Sequence, residues 1–293
     1  MVMAMGSPMP HAQAATCTPT GFFRDGINMT AALINPAGVV TGEVNAAGCN
    51  IGVYADNGSR AVVNANIHGA NYFGILVNGD VNNVKFDVKD SQVHDIGETP
   101  FNGSQHGVAI YYRAFGTGTT AGTISGTTVS LYQKGGIVVN GAGSNVNVKQ
   151  NNAIGFGAVS FIAQNGIQVG FGATGTVTSN TATGHSYSGP NFASSGGILI
   201  VGGACYGSPL TVGTQVVGNT LVGNDVGVFV SNLDGTCSAP SSQTNIKIVN
   251  NDKLITNKIS GAGYKTCATG YCVAIDADAS FTNKAKVHAN VIE

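Results

Sequence analysis

Four side chains lie close together in the sequence and carry the parts of one reaction: Asp95, His106, Tyr111 and Arg113. A guanidinium beside a uronic acid neutralises its carboxylate and eases loss of the neighbouring proton. A base then removes that proton, and a phenol or imidazole protonates the leaving oxygen, which completes a β-elimination. Lys134, Asn140, Asn165 and Gln168 recur on later segments as polar groups that could hold a sugar, and His185 and Tyr187 could stack on one. A different chemistry is open to Asp95 with Glu98: two carboxylates serve a glycoside hydrolase, or bind Ca2+ together with a substrate carboxylate. Each of these residues also has a plain structural reading, as a loop histidine bonded to backbone, an aromatic packed on a neighbouring loop, or a solvated charge.

What must position them is a repeat. A glycine followed by branched residues recurs at Gly52-Val53-Tyr54, Gly74-Ile75-Leu76-Val77, Gly107-Val108-Ala109-Ile110, Gly136-Ile137-Val138-Val139, Gly166-Ile167-Gln168-Val169, Gly197-Ile198-Leu199-Ile200 and Gly227-Val228-Phe229-Val230, with Cys272-Val273-Ala274-Ile275 as a degenerate last copy. The glycines step by 22, 33, 29, 30, 31 and 30 residues, a solenoid period. A second signature accompanies it in Gln150-Asn151-Asn152, Ser179-Asn180-Thr181, Gly218-Asn219-Thr220 and Thr256-Asn257-Lys258. Stacked asparagines tolerate tight turns and hydrogen-bond along a ladder. Each period therefore holds at least two short strands separated by a bend.

Between the two signatures, residues 97–105, 156–165, 185–196 and 262–271 are long, and leaving successive repeats at one corner they should gather into a wall. Strand alternation predicts an outward row of Leu76, Ala109, Val138, Gln168, Leu199, Phe229 and Ala274. A stripe this apolar is covered either by loops or by a second copy of the chain in a homo-oligomer.

Composition narrows the classes. Of 293 residues, 43% are hydrophobic and only 9% charged, so the chain can bury a core. The net charge of -1, with no basic block, argues against a nucleic-acid partner. No apolar run is long enough for a membrane-spanning helix. Six cysteines pair by location as Cys17 with Cys49, Cys205 with Cys237 and Cys267 with Cys272. Cys205 and Cys237 fall just beyond consecutive repeat glycines, which places them side by side and points to disulfides and an oxidising, extracellular or periplasmic compartment; metal ligation is the alternative. Residues 1–15 read as a signal-peptide remnant or a disordered tail, 16–50 as an N-terminal cap, and 51–293 as the repeat domain with a C-terminal cap. Asn28-Met29-Thr30 and Asn57-Gly58-Ser59 fit the glycosylation pattern.

The repeated Asn-x-[Leu/Val/Ile]-x-Gly followed by Gly-Ile-x-Val, over roughly residues 50–291, resembles the right-handed parallel β-helix proteins of the pectate-lyase-like superfamily. The resemblance implies an all-β, single-stranded right-handed parallel β-helix with short caps at both ends. It also implies a secreted protein acting on a polysaccharide, with a lyase of acidic polysaccharides the first expectation and a non-catalytic binding, adhesive or structural protein, or a hydrolase, the alternatives. The Asn-Thr-Asp, Asp-Asp and Gly-His-Gly motifs of the polygalacturonase group and the Asp-Pro-His of alginate epimerases do not occur in this chain. An ice-binding surface would need Thr-x-Thr at one position on successive repeats, and Thr117-Gly118-Thr119 and Thr176-Val177-Thr178 do not recur in that way.

Overall fold

The computed structural model describes residues 16–191, 193–238, 240–242, 244–249 and 251–256, and the backbone of three further strands, Tyr264–Lys265, Val273–Asp276 and Lys286–His288. Cys267, Cys272 and most of the loop 262–271 lie outside the described residues. Among them, the one helical piece is the 3-10 turn Ala204–Tyr206. Everything else regular is strand.

The glycine and branched segments form the rungs of one sheet. Ile27–Ile34, Ile51–Ala55, Phe73–Asn78, Val108–Arg113, Gly135–Asn140, Asn165–Gly170, Gly196–Gly202, Val226–Asn232 and Val273–Asp276 pair in parallel, each with the next. A second sheet takes two strands from most repeats. Its long strand Gly58–His68 pairs with both Val84–Lys89 and Gln92–His94, and from there two parallel stacks diverge. Parallel neighbours one repeat apart, all the way along, are compatible with a solenoid.

The register explains the core. Ile75, Ile110, Ile137, Ile167, Ile198 and Val228 stand in one row of the first sheet, and Val88, Ile124, Val148, Val177, Val216 and Ile248 in one row of the second. All belong to one continuous hydrophobic cluster. Burial of each such side chain contributes about 1.5–3 kcal/mol.

One register differs from the sequence reading. Ile110 pairs with Ile75 and Ile137, so Ala109, not Gly107, occupies the repeat-glycine position. That position is crowded: a β-carbon on Gly74 would come within 2.6 Å of the Ala109 carbonyl oxygen, and one on Gly136 within 2.5 Å of that of Gly166. Gly107 has a separate cause, a turn with φ of 83°. The outward row is consequently Tyr54, Leu76, Tyr111, Val138, Gln168, Leu199 and Phe229; Ala109 points inward, and the side chain of Ala274 is outside the described set.

Nor is that row an exposed stripe. Leu76 is wholly buried, and Tyr111, Val138 and Phe229 nearly so. Segment 16–50 supplies part of the cover at one end: Thr18–Arg24 turns back antiparallel on Ile27–Ile34, and Phe22 stacks on Tyr54 at 6.4 Å with the Arg113 guanidinium 4.8 Å from its ring centre. Of the two covers expected for this row, the chain's own segments or a second copy, the first is present at these positions. Two of the three predicted disulfides are formed, Cys17–Cys49 and Cys205–Cys237.

The bend between the two stacks of the second sheet carries a ladder. Backbone N–H groups of Thr127, Asn151, Asn180 and Asn219 donate to the side-chain oxygens of Asn151, Asn180, Asn219 and Asn251, at 2.9 to 3.0 Å. The Asn180 amide also donates to the Val148 carbonyl at 2.9 Å. Earlier repeats use Thr127 and Ser91 in the same place, and the last described rung is Asn251 rather than Asn257, which is not among the described residues. Replacing Asn180 with alanine leaves the buried Asn151 N–H without its acceptor and takes one donor from the Val148 carbonyl. Asn180→Ala should lower stability by roughly 2–4 kcal/mol in urea denaturation; a loss below about 0.5 kcal/mol would show the ladder to be dispensable.

Candidate functional site

The four residues first considered for β-elimination separate. His106 precedes the strand Val108–Arg113 and Arg113 ends it, so about seven residues of extended chain at roughly 3.3 Å each set them some 20 Å apart. Arg113 donates to the Asp80 carboxylate and, at 3.1 Å, to Asn78, while its guanidinium lies over Phe22 and Phe115. Its charge is already matched. Tyr111 packs on Phe73 at 5.4 Å within the covered outer cluster.

The expected sugar-binding residues are engaged as well. Lys134 donates to the Ala163 carbonyl at 2.9 Å, and burial pulls its ammonium down to a pKa of about 8. Asn140 accepts from Gln168 at 2.9 Å, and Asn165 accepts from the Gly196 N–H at 2.9 Å. His185 and Tyr187 belong to the strand Thr181–Tyr187 instead of a wall loop, and both are buried. His185 is interior: its Nδ1 faces Asn224 Oδ1 at 2.7 Å and its Nε2 faces the Tyr132 hydroxyl. Asn224 Oδ1 is an acceptor, so Nδ1 carries the hydrogen and the tyrosine donates to Nε2. No sugar reaches it.

Two expected residues do share a surface. Asp95 and Glu98 line a groove of about 500 Å³ with Gly69, Phe101, Leu131 and Phe156. Both carboxylates meet a histidine: Asp95 Oδ2 lies 2.6 Å from His94 Nδ1, and Glu98 Oε1 lies 2.6 Å from His106 Nε2. His106 in turn stacks on Tyr72, ring centres 3.8 Å apart. Phe101 and Phe156 meet edge to face at 5.2 Å, which brings two of the predicted long segments, 97–105 and 156–165, together.

Buried Gln133 fixes the first of these segments. Its Oε1 accepts from the N–H groups of Glu98 and Asn102 at 3.2 and 3.1 Å, and its Nε2 donates to the Ser104 carbonyl at 2.8 Å. Behind Asp95 a polar row continues over the outer face of the second sheet. His94 stacks on His68 at 5.3 Å, and Asn66 bridges His94 to Glu43. Hydrogen bonds from Asn66 and His68 hold the Glu43 carboxyl below its usual range.

Phe101, Phe156, Gln133, Asn66 and Glu43 were missed in the sequence because the repeat signatures do not mark their positions, although Phe156, Asn66 and Glu43 lie on strands of the second sheet. The signal that could have found them is the alignment of His68 with His94 on adjacent strands. No Lys or Arg is among the described residues that line the groove, and among the described residues no three His, Cys, Asp or Glu side chains converge as metal ligands. Compared with models of known families, with curated proteins and with solved structures, the chain matches none.

Interior His185 makes stability pH-dependent. Desolvation is the larger effect and lowers its pKa to about 4; the Asn224 hydrogen bond opposes it. The unfolded chain, titrating near 6.5, binds the proton first, so stability is full above about pH 6.5 and falls as the pH drops toward 4. The loss should reach roughly 3 kcal/mol. His185→Gln should flatten that part of the profile in denaturation curves taken at several pH values. An unchanged slope would show that His185 does not set it.

Proposed function

We propose that this chain is a right-handed parallel β-helix protein of the pectate-lyase-like kind, exported from the cell, that binds a polysaccharide in the groove lined by Asp95, Glu98, Phe101 and Phe156. The handedness rests on the general preference of parallel crossovers and on the sequence resemblance. Two disulfides, and the lack among the described residues of a helix long and apolar enough to cross a membrane, are compatible with an extracellular location.

The observation that carries the reading is the pairing of side-chain types in one groove. Carboxylates accept hydrogen bonds from sugar hydroxyls, and aromatic rings take the C–H face of a pyranose. The same groove carries no cation to neutralise a uronate, since Arg113 is matched by Asp80 and Lys134 is held by a carbonyl. A neutral glycan therefore fits it better than an acidic one, and β-elimination gives way to binding. A second reading, glycoside hydrolysis, is favoured by the two carboxylates on one groove.

Affinity electrophoresis through gels containing neutral or uronate polysaccharides tests the proposal. The parent should be retarded by a neutral glycan, and Phe101→Ala and Phe156→Ala should each weaken binding about tenfold, the loss of roughly 1.4 kcal/mol of ring contact. Reducing ends released from the same glycan would extend the reading to hydrolysis. Retardation by uronates alone, lost in Arg113→Ala, would overturn the neutral-glycan assignment.

A further inference from the structure

The contacts along four side chains that run back from the groove at Asp95 need one more hydrogen than a neutral imidazole and two ionised carboxylates supply. Glu43 Oε2 lies 2.9 Å from Asn66 Nδ2, Asn66 Oδ1 lies 2.8 Å from His94 Nε2, and His94 Nδ1 lies 2.6 Å from Asp95 Oδ2. Each of these three contacts needs one hydrogen. The Asn66 amide supplies a hydrogen on one side only, and a neutral imidazole on one nitrogen only. With both carboxylates ionised, the third contact sets acceptor against acceptor.

Turning the Asn66 amide around moves the shortage to Glu43 without removing it. Glu43 is the poorest place for the missing proton, because its other oxygen already meets His68 Nε2 at 2.5 Å, a contact in which the ring nitrogen donates and the carboxylate accepts. The orientation with Asn66 donating to Glu43 and accepting from His94 leaves the extra proton between His94 Nδ1 and Asp95.

We propose that His94 and Asp95 share one proton, fixed there by Asn66 and Glu43, and that this contact holds the Asp95 carboxyl in the groove with its other oxygen, Oδ1, turned to accept a hydroxyl of the bound glycan. The ligand in this statement rests on the groove reading above; the proton does not. Shifting the proton along the 2.6 Å contact breaks the His94 Nδ1–H bond and forms an Asp95 O–H bond, leaving a neutral imidazole that still donates through Nε2 to Asn66. Asp95 thus touches the ligand, and His94, Asn66 and Glu43 are positioning residues.

Other groups around the pair are compatible with this. His68 lies parallel to His94, 5° between the ring planes, so a positive His94 faces an aromatic ring. Glu43 lies on the preceding strand Val40–Asn45, and Glu98 with its partner His106 lies further along the groove loop. The next repeat brings Ser130, which follows Val129 in register with Val93 and does not titrate.

Nitrogen-15 and carbon-13 NMR of the full chain without ligand, at pH 7, reads the proton directly. The expected spectrum has hydrogen on both ring nitrogens of His94, or on Nε2 with Asp95 as the acid. In Asn66→Ala and, independently, in the milder Glu43→Gln, the pH at which the pair loses that proton should fall by about one unit, the worth of a hydrogen bond to a charged group. Hydrogen on a single His94 nitrogen beside an ionised Asp95, or titration unmoved in both variants, overturns the proposal whether or not a glycan binds. If the proton is present and no glycan binds, the groove reading fails and the assignment of the proton stands.

Discussion

The close approach of one repeat to the next governs this structure. A strand in the first sheet sits so near its neighbour that, at the start of the segment, a carbonyl oxygen occupies the place of a β-carbon: 2.6 Å for Gly74 against Ala109, 2.5 Å for Gly136 against Gly166 and 2.6 Å for Gly166 against Gly197. Only glycine avoids the overlap at these points. Once these strands are in register, the branched residues that follow must stack like on like. Parallel pairing then closes the second sheet in step, and the asparagine ladder satisfies the backbone donors that the bend exposes.

A scaffold of this kind places function where periodicity ends. The repeat fills the interior so completely that even a histidine, His185, is used as a neutral hydrogen-bonded core group. What is left for recognition is the outer face at one corner, where segment 97–105 leaves the repeat and is pinned back by Gln133. There the carboxylates keep histidine partners and the phenylalanine rings stay partly open to solvent. Away from the groove, Arg113 is matched by Asp80.

How far the sequence discloses this follows from the same physics. The alternation of Ile75 and Val77, Ile137 and Val139, or Ile198 and Ile200 is imposed by burial on one face, so it can be read, as can Asn151, Asn180 and Asn219 at the bend. Gly107 misleads because a glycine demanded by a positive φ looks the same as one demanded by a close carbonyl, and that two-residue slip moved Tyr111 out of the covered row. His185 reads as a loop residue because Thr181–Tyr187 is too polar to look like a strand; its partners Tyr132 and Asn224 are 53 and 39 residues away. Asp95 and Glu98 stand out by type, but Phe101 and Phe156 meet across 55 positions with no pattern to announce them. Contacts set by irregular segments leave no period in the chain.

The central claim is that the groove beside Asp95 and Glu98 is where a glycan docks. Titrating a soluble neutral polysaccharide into nitrogen-15-labelled protein and mapping the amide shifts tests it most directly. The account predicts that the perturbed amides cluster at Gly69, Gly97, Glu98, Thr99, Phe101, Leu131 and Phe156, all at the groove. Shifts confined to the aromatic edge formed by Phe115, Phe171 and Tyr206, with the groove amides unmoved, would contradict it.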